Sequence, residues 1–242
     1  MESDRTKPVD INTVPPTFTL GHFALFMLIV FLGSLAAAIV LPLILPGLTE
    51  SLTGTAPKAF WYLSRGSAFS AYFLLWLSMM LCTGITNKLT AKWPGLPSTI
   101  EMHQFTSILG LFFGLFHGMI LMADQYMSFT LAQVLLPFST AGYKPLAVGL
   151  GQVGFYTMLL ITLSFYIRKK IGSKTWRAIH FISFATYISV LLHAVLAGTD
   201  ASTLTAQYLY LFTSGLLFFM ILYRILSSLQ RSREKRLNPQ GS

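Results

Sequence analysis

One cysteine, Cys82, stands among 242 residues. That excludes a disulfide framework, a cysteine-rich metal site and covalent cofactor attachment through paired thiols. Charge is also scarce: Asp, Glu, Lys and Arg make up 10% of the chain, and only 8 residues are acidic. So few charges cannot cover a soluble surface. With 54% hydrophobic residues and a mean hydropathy of +0.63, the composition is that of a membrane protein, leaving little length for a second, soluble domain. The formal net charge of +9 would suit nucleic acid, but the basic residues cluster in particular loops, as topology signals do. No nucleic-acid partner is expected. The segment Met1–Pro16 is polar, mixed in charge and rich in proline. It lacks the compact basic start and cleavage site of a signal peptide, so residues 1–19 are predicted to be a disordered cytoplasmic leader.

Apolar runs of spanning length lie near 20–46, 60–86, 100–122, 145–168, 177–198 and 206–228. Each must be helical, because a backbone in lipid satisfies its polar groups only internally. The fold class predicted is all-α: a polytopic six-helix bundle over 20–228, followed by a basic tail at 229–242. The first run ends in Leu41-Pro-Leu-Ile-Leu-Pro46, which predicts a broken last turn. Between spans three and four, residues 131–138 are apolar but too short to cross, so the loop 123–144 is expected to lie on or dip into the outer surface.

Lys and Arg fix a direction. Fourteen of the 17 fall in the leader, the loop after span two, the segment 168–177 and the C-terminal segment, leaving Lys58, Arg65 and Lys144 on the other side. The positive-inside bias therefore puts both termini in the cytoplasm of a cell-membrane protein. Trp61, Tyr62, Tyr143 and Tyr208 then fall near the outer interface, and Trp93 and Trp176 near the inner one, as aromatic belts do.

Four histidines lie inside these spans: His103 and His117 on the third, His180 and His193 on the fifth. The intervals of 14 and 13 residues each cover roughly 20 Å of helix at about 1.5 Å per residue. Both spans run from inside to outside, so depth pairs His103 with His180 and His117 with His193. Each couple can ligate one haem iron axially, and a b-type haem needs no covalent link. Intramembrane histidines without such a use are a liability; the plainer alternative is interhelical hydrogen bonding. Fourteen residues return His117 to within about 40° of the His103 face, whereas thirteen leave His180 and His193 about 140° apart on an ideal helix. A π-bulge, rotamer choice or oblique ring placement would reconcile them. Gly110, Gly114 and Gly118 follow the third-span face, where absent side chains admit either a flat macrocycle or a close helix neighbour.

The stretches H-Q-F-T-S-I-L-G-L-F-F-G-L-F-H (103–117) and H-F-I-S-F-A-T-Y-I-S-V-L-L-H (180–193) resemble the ferric reductase-like transmembrane domain family. That family includes the membrane portions of NADPH oxidases and ferric reductases, and the haem-binding subunit of periplasmic methionine sulfoxide reductase. W-R-A-I-H (176–180) is similar to the start of the fifth helix in that subunit. The resemblance spans nearly the whole chain and implies two stacked haem b groups, bound by His103/His180 and His117/His193. They would carry electrons from a cytoplasmic donor to an external acceptor. Oxidases and eukaryotic ferric reductases continue into flavin and nicotinamide domains, whereas this sequence ends at Ser242. Flavin is therefore expected on a separate reductase or not at all. The string Gly149-Leu-Gly-Gln-Val-Gly154 is no nucleotide site, since no strand precedes it.

Arg65 sits about one turn inside the outer end of span two. The resemblance to an arginine of the oxidases implies an ion pair with propionates of the outer haem; the alternative is snorkelling to headgroups. Arg177 is placed to serve the inner haem similarly, or to bind anionic lipid. His22 is expected at the interface, and Glu101 as an interface carboxylate or an acceptor for a ligand histidine. Phe112, Phe113, Phe116, Phe184 and Tyr187 fall between the two levels, most simply as packing.

The function expected is transmembrane electron transfer from a cytoplasmic flavin- or NAD(P)H-dependent reductase, or a quinol, to ferric iron, oxygen or a periplasmic reductase partner. The competing expectation is a haem-free six-helix transporter or assembly protein whose histidines relay protons or bind a metal.

Overall fold

The computed structural model describes residues 13–45, 59–124 and 129–237. Helices α1 (Leu20–Ile44), α2 (Ala59–Thr86) and α3 (Leu96–Ile120) come first, the last running into a 3₁₀ turn at Leu121–Ala123. A short α4 (Leu131–Leu135) precedes α5 (Pro145–Ile171), α6 (Ser173–Phe181), α7 (Ser183–Ala197) and α8 (Leu204–Leu237). Helices α6 and α7 together form one span. The described residues thus contain 6 helical stretches long and apolar enough to cross a membrane, and the chain is an all-α, multi-pass membrane protein.

Local chemistry explains most boundaries. Thr19 caps α1 by accepting the His22 N–H, and Pro145 opens α5 where its missing N–H is harmless. Arg168, Lys169 and Lys170 occupy the last turn of α5, where cations suit the helix dipole. Gly172 then takes φ +80, which a side chain would disfavour, and turns the chain straight into α6. The α1 break expected at 41–46 is not there: the helix runs through Pro42 to Ile44, and Leu45 N–H still bonds Leu41 O at 3.0 Å. Proline removes a single N–H, and one turn from the helix end that loss is tolerated. Pro46 lies outside the described residues.

One terminal expectation changes. Residues 13–19 of the supposed disordered leader lie against the bundle. Val14 is buried, its carbonyl accepts from Arg168, and Thr17 N–H donates to Gln104 Oε1 at 2.8 Å. Residues 1–12 lie outside the described residues. At the other end, helix continues past 228 to Leu237, so the described part of the basic tail carries the helix on beyond the sixth span, which ends at Gln230. A run of basic and polar side chains favours helix over coil once a span has nucleated it.

The loop expected to lie on or dip into the membrane surface folds into one end of the bundle. Thr130 and Gln133 form a capping box that starts α4. Gln152 of α5 donates to Gln133 O (2.7 Å) and Val134 O (2.9 Å), and its Oε1 accepts the Phe138 N–H. One half-buried amide therefore ties both α4 and the chain at Phe138 down.

Midway along the bundle Tyr72, Leu75, Trp76, Met79, Tyr187 and Leu217 form an apolar core. Its polar tips are paired: Tyr72 OH bonds Thr213 Oγ1 at 2.6 Å and Tyr187 OH at 3.0 Å, and Trp76 Nε1 donates to Thr213 O at 2.9 Å. These bonds join α2, α7 and α8. Tyr72→Phe removes two interhelical hydrogen bonds and should destabilise the bundle by about 0.6–1.7 kcal/mol, read as a lower unfolding midpoint in detergent.

Candidate functional site

Helices α2, α3, α5 and the α6–α7 span position the four histidines in two levels. His103 faces His180 with ring centroids 5.9 Å apart, and His117 faces His193 at 6.2 Å. An imidazole centroid lies about 1.1 Å from its ring nitrogen and a metal–nitrogen bond is about 2 Å, so two imidazoles on opposite sides of one metal have centroids about 6 Å apart. Both pairs match that separation. The rings within each pair are steeply crossed, by 82° and 69°.

Three of the four imidazoles are held by the nitrogen that would not bind a metal. His103 Nδ1 lies 3.0 Å from Ser78 O, His117 Nδ1 2.8 Å from Ser64 O, and His193 Nδ1 2.8 Å from Ala147 O. A donor bond from Nδ1–H to a carbonyl fixes the tautomer with Nε2 bare, the arrangement of a metal-ligating histidine. The hydroxyls of Ser78 and Ser64 also reach His103 and His117, each at 3.0 Å. Ser64 and Ser78 are 14 residues apart on α2, the interval between His117 and His103 on α3. The matched spacing is present in the sequence, but serine in a span reads there as packing.

The angular mismatch on the fifth span is met by a tightened turn and not by a π-bulge. Ile182 separates α6 from α7, and its N–H bonds Ile179 O at 3.0 Å. A 3₁₀ step advances about 120° against about 100° in an α-helix, so overwinding closes part of the shortfall that an underwound π-bulge would widen.

A cavity of about 260 Å³ surrounds the His117–His193 pair and extends to Tyr72 and Met158. Gly110 and Gly114 both line it, but differently. A Cβ on Gly110 would sit 3.3 Å from Leu74 Cβ, so this glycine also serves close packing of α3 on α2. One on Gly114 would meet only Phe155, at 3.6 Å; its bare face opens on the cavity. The glycine string on α5 has a purpose here that no nucleotide explains. A Cβ on Gly151 would come within 2.6 Å of His193 Nδ1, and one on Gly154 within 2.6 Å of Val190 Cγ2. These glycines let α7 lie against α5 so that His193 reaches Ala147 O.

Arg65 borders the same cavity, half-shielded, with its guanidinium 4.1 Å from the Trp61 ring centroid. Its cation is ion-paired to Asp200, just beyond α7. Sequence gives no sign of this partner, because an isolated acid after a span looks like ordinary surface. At the other level, Cys82 Sγ lies 3.6 Å from His180 Nε2, and Cys82, His103 and His180 bring their donor atoms within 4.8 Å of one another. Glu101 is exposed, and Ser78 O takes the acceptor role considered for it. His22 is exposed and its Nδ1 lies 3.0 Å from Thr19 Oγ1. Arg177 is exposed at the basic end.

The residues fit a bis-imidazole ring cofactor: opposed histidines at the right separation, Nε2 bare at three of four, and glycine walls beside one pair. Compared with known protein families, curated proteins and solved structures, the chain matches none.

Proposed function

We propose that this protein is a transmembrane electron conduit holding two b-type haems, one between His103 and His180 and one between His117 and His193. The observation that carries the reading is the pair of centroid separations, 5.9 and 6.2 Å, at two levels roughly 20 Å apart along the helices. Bound haem supplies one-electron redox chemistry, and two in series would span most of a hydrocarbon core. The chain's own residues hold and tune. Ser78, Ser64 and Ala147 carbonyls orient their imidazoles and make them better donors. Arg65 and Asp200 bound the slot at the end away from the basic residues, and Arg65 can exchange its protein carboxylate for one on a bound ring. Four histidines would offer two imidazoles to each metal and leave no open position, which would favour outer-sphere transfer over oxygen binding.

The reading places the basic end, with Lys169, Lys170, Lys174 and Arg177, in the cytoplasm. A reduced flavin- or NAD(P)H-dependent partner, or a quinol, would supply electrons, and ferric iron, oxygen or a reductase subunit outside would take them. In the ferric reductase-like family, which this chain resembles in its histidine stretches, that is the direction of flow.

A second reading draws on Cys82: with His103 and His180 it could hold one transition-metal ion in a haem-free transporter. It offers no account of the His117–His193 pair, which has no third donor of this kind among the described residues. A visible spectrum of detergent-solubilised protein separates the two. We expect a b-type Soret and α band with two haems per chain by pyridine haemochromogen; a colourless protein carrying stoichiometric zinc or copper would replace this proposal with the second.

A further inference from the structure

The two histidine pairs are not built alike. His103, His117 and His193 each direct Nδ1 at a backbone carbonyl. Among the described residues His180 has no such carbonyl; its polar contact is Cys82 Sγ, on Nε2. What its ring has instead is Trp176. The indole lies nearly parallel to the imidazole, with centroids 5.0 Å apart and planes inclined by 22°.

Trp176 is also anomalous in itself. It stands one turn before His180 on α6, only 9% exposed, and its Nε1–H has no hydrogen-bond partner among the described residues. Trp76, the other well-buried tryptophan, satisfies the same atom with Thr213 O. Buried donors are rarely left unmet, and one that is calls for an acceptor from outside the chain. The neighbourhood narrows what that acceptor is. Trp176 lies nearer the basic end than His180, and a carboxylate carried into the bilayer by a bound ring turns toward the nearer interface, because hydrocarbon penalises it heavily.

We propose that Trp176 is a positioning residue of the His103–His180 site with two tasks. Its face fixes the His180 imidazole where a carbonyl fixes the other three, and its N–H donates to a carboxylate of the planar group bound there. This rests on the haem reading of the site and names a residue and an acceptor that the reading does not need.

The test uses the full chain with its haems bound, and two substitutions that separate the tasks. Trp176→Phe keeps a flat ring against His180 and removes the donor. It should move one haem to lower midpoint potential, since the carboxylate then places more negative charge near ferric iron, while the ligand-field signature in electron paramagnetic resonance is retained. Trp176→Leu removes the ring as well and should in addition shift the largest g value of that haem, because the imidazole plane is no longer fixed. Repeating both substitutions with His117→Ala, which leaves only the haem in question, assigns the shifts. Retention of the other haem in the single variants shows that the bundle has folded. An unchanged potential in Trp176→Phe, or an unchanged resonance signal in Trp176→Leu, overturns the inference while two haems remain bound. Wild-type protein with no haem overturns the functional proposal itself, and this inference with it.

Discussion

His117→Ala should leave a protein that folds, inserts and binds one haem where the wild type binds two. The pair has two donors, and removing one leaves His193 Nε2 alone in a cavity lined by glycines, apolar side chains and the Arg65–Asp200 pair. With half of its protein ligands gone this ring should be released, so the Soret absorbance should fall by about half and the pyridine haemochromogen value to one haem per chain; a ring retained on His193 alone would show instead as a high-spin haem. His193→Ala must remove that same haem, with the same surviving spectrum and potential. His103→Ala and His180→Ala should each remove the other one. The pattern of shared loss is the informative part. If His117→Ala and His180→Ala erased the same component, the pairing read from ring positions would be wrong, whatever the total haem content.

Gly151→Ala is expected to do nearly as much damage with one methyl group. That carbon would stand 2.6 Å from His193 Nδ1, and 2.8 Å from two ring carbons, well inside contact distance. The imidazole has to swing away, and in doing so breaks its 2.8 Å bond to Ala147 O. Moving the helices apart instead would open the α5–α7 contact, which costs about 1–3 kcal/mol for an overpacked core. Either way the ligand loses its orientation. Loss of such an orienting bond weakens metal affinity by about 10–100-fold, so the haem of the His117–His193 pair should dissociate under conditions where the other stays. Gly33→Ala, where an added Cβ meets nothing within 4 Å, is the matched control and should bind both. Equal haem content in Gly151→Ala and Gly33→Ala would remove Gly151 from the site.

Much of the molecule was legible from composition alone. Spans announce themselves because lipid demands about 20 consecutive apolar residues and a helical backbone, and the ends of α2 and α5 fall within a few residues of the apolar runs. The breaks were harder to read. Pro42 looks like a stop, yet near a terminus it removes only one bond. Helix α8 outruns its apolar stretch because charged residues extend a helix outside lipid as well as they end a span. The leader looked disordered from its prolines and charge, while Val14 and Thr17 are tied to Arg168 and Gln104 from distant helices, and nothing local signals such ties.

Depth along a helix is a one-dimensional quantity, counted off at a fixed rise per residue, so the chain itself settled which histidine lies level with which. Direction around a helix and distance between helices are not. They depend on a tightened turn at Ile182, on glycines that let one backbone approach another, and on serines 14 residues apart on a helix the histidines do not belong to. Only the packed bundle brought Ser64, Ser78 and Gly151 to the rings and Asp200 to Arg65, because each of these contacts joins residues remote in sequence; Trp176, one turn from His180, was within reach of helical spacing alone.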